Sequence, residues 1–82
     1  MRDANRIEPT LSRIAELWKN NVPDWRFGQL LYNFLAVYGD PFYLEDDDFI
    51  VALEAFFRNE DPRMAVRKEM NFHSSENSYG RK

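Results

Sequence analysis

Ile7, Leu11, Ile14 and Trp18 recur at spacings of four, three and four, the period of one helix face. Leu17 and Ala15 flank this stripe, and Ser12, Arg13, Glu16 and Lys19 fall opposite it. Pro9 is tolerated only in a first turn, so a helix is predicted from Ile7 or Glu8 to about Asn20. Asn20-Asn21-Val22-Pro23 then reads as a turn. In PDWRFGQLLYNFLAVYGD, Phe27, Leu30, Leu31, Phe34, Leu35 and Tyr38 cover more than a third of a helix circumference. That breadth suits a central helix touching two neighbours. Asp24 is a candidate N-cap, Gly39 a candidate C-terminal stop, and Gly28 with Ala36 a place for close approach. From Asp46 onward, Phe49, Ile50, Leu53, Phe56 and Phe57 form a third helical stripe. Leu44 or Tyr43 is expected to staple onto Phe49 or Ile50, and Glu54 to pair with Arg58 one turn on.

After Asn59 the periodicity weakens. Asp61-Pro62 has the form of a cap followed by the first residue of a helix, which would run through RMAVRKEM with a thin apolar face. From Asn71 the chain is polar and turn-rich and is expected to be disordered. No strand alternation competes with these readings. The pattern therefore predicts a small all-α domain, in which three helices pack around Trp18, Phe27, Leu31, Phe34, Phe49, Leu53 and Phe56. A weak fourth helix or disordered C-terminal tail would follow. In these terms residues 1–59 are the core domain and residues 60–82 a short helix and flexible tail.

At 82 residues the chain suffices for one domain, and a domain this small hides only about 60% of its unfolded surface. The aromatic content of 16% supplies large buried rings where few residues are available. The absence of cysteine excludes disulfides, thiolate metal sites and a cysteine nucleophile. No apolar run has the length of an export signal or a membrane span, so a soluble cytoplasmic protein is expected.

The net charge of −3 is unevenly spread. Residues 1–23 hold four cations and three anions, residues 24–59 two cations and seven anions, and residues 60–82 five cations and four anions. An acidic middle repels phosphate, which disfavours nucleic-acid binding by the folded part.

Most of that acidity is the run Glu45-Asp46-Asp47-Asp48. Consecutive acids lack the alternation and the glycine turn of a calcium loop, and adjacent residues at a helix start diverge too far for paired acid–base work. The simplest reading is electrostatic. Carboxylates in a first turn face unpaired N–H groups and the positive end of the helix dipole, and one of the first three acids would be the N-cap. The run holds more charge than capping needs, which makes it a candidate surface for a basic partner. Arg26, Gln29 and Asn33 form a second candidate, a polar stripe on the central helix, from which Arg26 could reach the acidic run. His73 is the only histidine, so no histidine cluster or His-based nucleophile arrangement can form. The three glycines are too far apart for a phosphate loop. No cofactor and no metal are expected, and no catalytic residues are assigned.

The segments PDWRFGQLLYN and DPFYLEDDDF together resemble the signature of a family of short, uncharacterised bacterial and phage proteins. In that family a pattern like PDxRFGQLxxN is followed by FYxEDD and a final short helix. The match covers roughly residues 7–57. The resemblance implies no activity, cofactor or catalytic residue; its phage association implies a regulatory or host-directed binding role.

The expected function is a small non-enzymatic interaction or regulatory module. It would bind a protein partner through Glu45, Asp46, Asp47 and Asp48 together with Arg26, Gln29 and Asn33. Two alternatives are carried. One is a phage-type acidic decoy that blocks a host nucleic-acid-binding protein. The other is a weak nucleic-acid binder working through Arg63, Arg67, Lys68, Arg81 and Lys82. Self-association is a further expectation, because an aromatic-rich core this small leaves some rings exposed.

Overall fold

Every strongly periodic segment is helical in the computed structural model, which describes residues 2–68. A short 3₁₀ turn, Ala4–Arg6, leads into α1 (Ile7–Asn21), followed by α2 (Phe27–Tyr38) and α3 (Asp46–Phe57). Residues 62–68 form α4. Among the described residues there is no strand. The chain is all-α.

The helices go up, down and up around α3. Arg6 pairs with Asp46 and Arg13 with Glu54, so seven residues of α1 climb beside eight of α3 and the two run parallel. α2 runs the other way. Phe34 is fully buried, and its ring lies 5.1 Å from Phe49 and 5.6 Å from Phe56. Trp25, just before α2, reaches Phe56 near the C-terminal end of α3. Leu17, Leu30, Ala52, Leu53 and Val66 complete the buried cluster around Phe34.

Several residues depart from the predicted core. Leu53 and Phe34 are buried, and Trp18, Leu31, Phe49 and Phe56 are half-buried, but Phe27 is 52% exposed. On α1 the expected stripe is rotated outward: Ile7 and Leu11 are exposed, whereas Leu17, read as a flanking residue, is buried. The cause is the α1–α3 seam. Arg13 sits on it, its Nη2 2.6 Å from a Glu54 carboxylate oxygen, and turns the Arg13–Leu17 side of α1 inward. Glu54 therefore pairs with Arg13 and not with Arg58, which turns to Glu60 at 3.1 Å. Ala52 and Ala55 are fully buried; with only a methyl group each, they let neighbouring helices approach α3 closely.

The helix ends follow local chemistry. α2 begins at Phe27 rather than beside Asp24, with Arg26 extended as its N-cap. Gly39 ends α2 with φ +99, a backbone region that only glycine enters freely. Asp61 caps α4 by accepting from the Arg63 N–H at 3.0 Å. Pro62 and Val66 are buried, so α4 belongs to the same core as α1–α3. The disorder expected from Asn71 falls outside the described residues, as do His73, Arg81 and Lys82.

Replacing Phe34 with Ala is expected to lower unfolding free energy by about 3–5 kcal/mol, a large part of what so small a domain holds. Tyr43→Ala, at a 91% exposed position, is expected to change it by no more than about 0.5 kcal/mol. Urea titrations followed by circular dichroism would measure both.

Candidate partner-binding site

The acidic run sits where the sequence placed it. Glu45 is the extended N-cap of α3, and Asp46, Asp47 and Asp48 occupy the first turn. A carboxylate in that position gains about 0.3–1 kcal/mol from the helix dipole. The Glu45 side chain makes no capping hydrogen bond. It accepts instead from Arg2, with Nε at 3.2 Å and Nη2 at 2.8 Å on its two oxygens. Arg6 Nε lies 2.7 Å from Asp46 Oδ2. Half of the run is thus matched by arginines from the chain's own N-terminal segment. Among the described residues, Asp47 and Asp48 have no ion-pair partner; Asp47 is exposed and Asp48 half-buried.

The hydrogen bonds from Arg2, reinforced by its charge, hold the Glu45 carboxyl below the usual glutamate range. Arg58 does the same for Glu60. With Arg13 bridging Glu16 and Glu54, arginines stitch α1 to α3 along most of its length.

The polar stripe of α2 lies elsewhere. The Arg26 backbone N–H donates to Gln29 Oε1 at 2.7 Å, so Gln29 serves the helix start. A guanidinium has no acceptor to complete the reciprocal bond. Arg26 and Gln29 are exposed and Asn33 is half-buried. Asn33 makes no side-chain hydrogen bond among the described residues. Twelve residues of α2 span about 18 Å. Because α2 and α3 are antiparallel, Arg26 and Gln29 stand at the end of α2 remote from Glu45–Asp48. The structure does not bring the two candidate sets together, and Arg26 does not reach the acidic run.

Directly before the acidic run in the chain stands an aromatic pair, Phe42-Tyr43. Asp40 Oδ1 accepts from the Phe42 N–H at 2.9 Å, and the Leu44 N–H closes a turn onto the Pro41 carbonyl at 2.9 Å. Phe42 and Tyr43 are the central residues of that turn, so both side chains point outward. They are 76% and 91% exposed, with ring centroids 4.8 Å apart, edge to face. The expected staple is made by Leu44, which packs on the core; Tyr43 takes no part in it. The signal was present in the sequence: Asp-Pro directly before two aromatics is a turn start that places its next two residues at a tip.

The basic residues after Asn59 are partly engaged. Arg63 Nη1 donates to the Tyr38 carbonyl at 3.2 Å, with its guanidinium over the Tyr38 ring, and so closes the C-terminal end of α2. A depression of about 310 Å³ beside the acidic run is lined by Arg2, Arg6, Glu45, Asp46 and Asp47. An apolar cleft of about 60 Å³ lies between Leu11, Phe27 and the core. Among the described residues, no three His, Asp or Glu side chains are grouped to hold a metal, and no helix is long and apolar enough to cross a membrane. No protein-family model, curated protein or solved structure matches the chain.

The lowered Glu45 and Glu60 values fix the sign of a pH effect. The folded values lie below the unfolded value of about 4.3, so the Arg2 and Arg58 pairs contribute fully above that pH and lose their contribution as pH falls through the folded values. The urea midpoint is expected to drop on acidification through this window. Changing Arg2 and Arg58 together to Gln is expected to make the drop shallower, as urea titrations at a series of pH values would record.

Proposed function

We propose that this chain is a small non-enzymatic interaction module, whose protein partner docks on the Phe42-Tyr43 turn and the acids beside it, Asp47 and Asp48. One observation carries the reading. The two most exposed large apolar side chains of the described residues are neighbours, held in contact on a turn that backbone and Asp40 hydrogen bonds fix. Exposed rings held in place lose little conformational freedom on binding, and aromatic residues dominate the energetics of protein interfaces.

The surroundings favour a basic partner. Asp40, Asp47 and Asp48 lie close in sequence on either side of the turn with no ion pair among the described residues, and Lys or Arg side chains stack on aromatic faces. Such charges steer encounter and select against acidic competitors. Glu45 and Asp46 contribute mainly by holding α1, and Arg26 and Gln29 by starting α2. The acids are gathered at one helix start and half are matched internally, which supports docking on a protein over imitation of a nucleic-acid backbone. The regulatory or host-directed role expected from the phage association of the resembled sequences fits this reading.

Affinity capture with quantitative mass spectrometry tests it. A variant carrying Phe42→Ser and Tyr43→Ser is expected to retain the wild-type partner at least roughly tenfold less. Asp47→Asn with Asp48→Asn is expected to weaken retention and reduce its dependence on salt. Circular dichroism would confirm that all variants keep their helix content. Equal retention by wild type and the aromatic double variant would overturn the proposal.

A further inference from the structure

The N-terminal segment reaches the acidic start of α3 without entering the core. Residues 2–9 are all exposed, and the one buried residue of α1 is Leu17. What holds the segment is charge. Arg2 grips both oxygens of Glu45, at 3.2 and 2.8 Å, and Arg6 Nε lies 2.7 Å from Asp46 Oδ2. The turn between the two arginines is set locally. Asp3 Oδ1 accepts from the Asn5 N–H at 2.9 Å, and the Asp3 carbonyl accepts from the Arg6 N–H at 3.2 Å. Beside the ion pairs lies the depression of about 310 Å³, which Pro9 and Thr10 also line, so the segment borders solvent there.

The start of α3 thus already shows which chemistry it accepts, a guanidinium carried on a short exposed turn. Both pairs are of the kind that adds little to stability and weakens with salt. In the Arg2–Glu45 pair the two side chains are 62% and 61% exposed. Arg13 on Glu54 remains to hold α1 beside α3 when the segment lifts.

We propose that residues 2–6 are an autoinhibitory strap. In the free chain the strap occupies Glu45 and Asp46. A basic segment of the docking partner displaces its arginines and takes those carboxylates together with Asp47 and Asp48. This rests on the reading that the start of α3 belongs to the docking surface. The tether decides what opens the strap. Arg2 and Arg6 are kept near their acids by the chain itself, at a high effective concentration, so single cations compete poorly. A partner that brings several cations at once, and apolar contact with the Phe42-Tyr43 turn besides, displaces them. The strap therefore selects against cationic surfaces that lack the apolar contact.

Fluorescence anisotropy with fluorescein-labelled hexa-arginine tests the strap, in about 0.15 M salt, where charges more than roughly 8 Å apart are largely screened. Arg2→Gln is expected to bind the peptide roughly two- to fivefold tighter than wild type, the span of one exposed ion pair. Lys19→Gln removes the same charge about 20 Å along α1 from Arg6 and is expected to change binding by less than roughly 1.5-fold. Asp47→Asn with Asp48→Asn is expected to weaken binding. Arg2 precedes every helix, so circular dichroism is expected to show unchanged helix content in Arg2→Gln. In an isotope-labelled wild-type chain, saturating peptide is expected to move the Arg2 and Arg6 Nε–H resonances and leave that of Arg13 in place. Peptide bound with the Arg2 and Arg6 resonances unmoved, or Arg2→Gln no tighter than Lys19→Gln, would overturn the strap and leave the docking surface standing. Binding indifferent to Asp47 and Asp48 would overturn the docking surface and the strap with it.

Discussion

Phe34 meets Phe49 and Phe56 on α3 and stacks on Tyr38 one turn along its own helix, and this contact governs the rest of the structure. Two rings seven residues apart straddle the one between them, which fixes both the height and the rotation of α2 on α3. With that rotation set, Leu30 is driven into the core and Gly28, Tyr32 and Ala36 are turned to solvent. The antiparallel course follows as well, and with it the loop from Gly39 to Glu45 that must reverse the chain. In seven residues the loop uses a glycine with positive φ, an Asp-Pro start and a tight turn. Phe42 and Tyr43 are exposed because they form the tip of that reversal.

α1 is held differently. Leu53 of α3 lies beside Leu11 and Ile14 of α1, but the register comes from arginines: Arg2 on Glu45, Arg6 on Asp46 and Arg13 on Glu54. These exposed and half-exposed pairs add little stability individually, yet they choose among rotations of α1 that apolar packing alone would leave close in energy. The rotation selected leaves Ile7 and Leu11 outside. The acidic run thus has two structural duties, favouring the start of α3 and holding α1 beside it, before any partner is considered. Only its second half is left for recognition.

The helices were legible in the sequence because apolar spacing near 3.6 residues is a direct imprint of a buried face. α1 ends within a residue or so of its expected position, and Asp61-Pro62 correctly marks the start of α4. Rotation was less legible. Ile7 and Leu11 have the spacing of core residues, but the inner seam of α1 is set by Arg13 and a residue 41 positions away, a pairing no local window contains. The same holds for Glu54, whose neighbour Arg58 offered a plausible but unused partner. Ala52 and Ala55 were invisible as core residues because small side chains have weak periodic signals. At the candidate site, the acids were found and their arginines were not, since Arg2 and Arg6 precede the first helix. Arg26 and Gln29 were grouped with the acids because the antiparallel course of α2 and α3, which carries them away from the acids, is a tertiary fact. At the loop the sequence left Leu44 and Tyr43 as alternative staples, because local spacing does not say which apolar residue before a helix start turns inward; Leu44 does, and Phe42 and Tyr43 are left at the tip.

Phe34 lies between two rings of α3 and so orients the whole molecule. The most direct measurement is a nuclear Overhauser spectrum of the chain with isotope-labelled phenylalanine. Cross-peaks are expected from the Phe34 ring to both Phe49 and Phe56, and none from Phe42 to any of these three. Cross-peaks from Phe34 to neither ring, or a Phe34 ring freely accessible to a soluble paramagnetic probe, would contradict it.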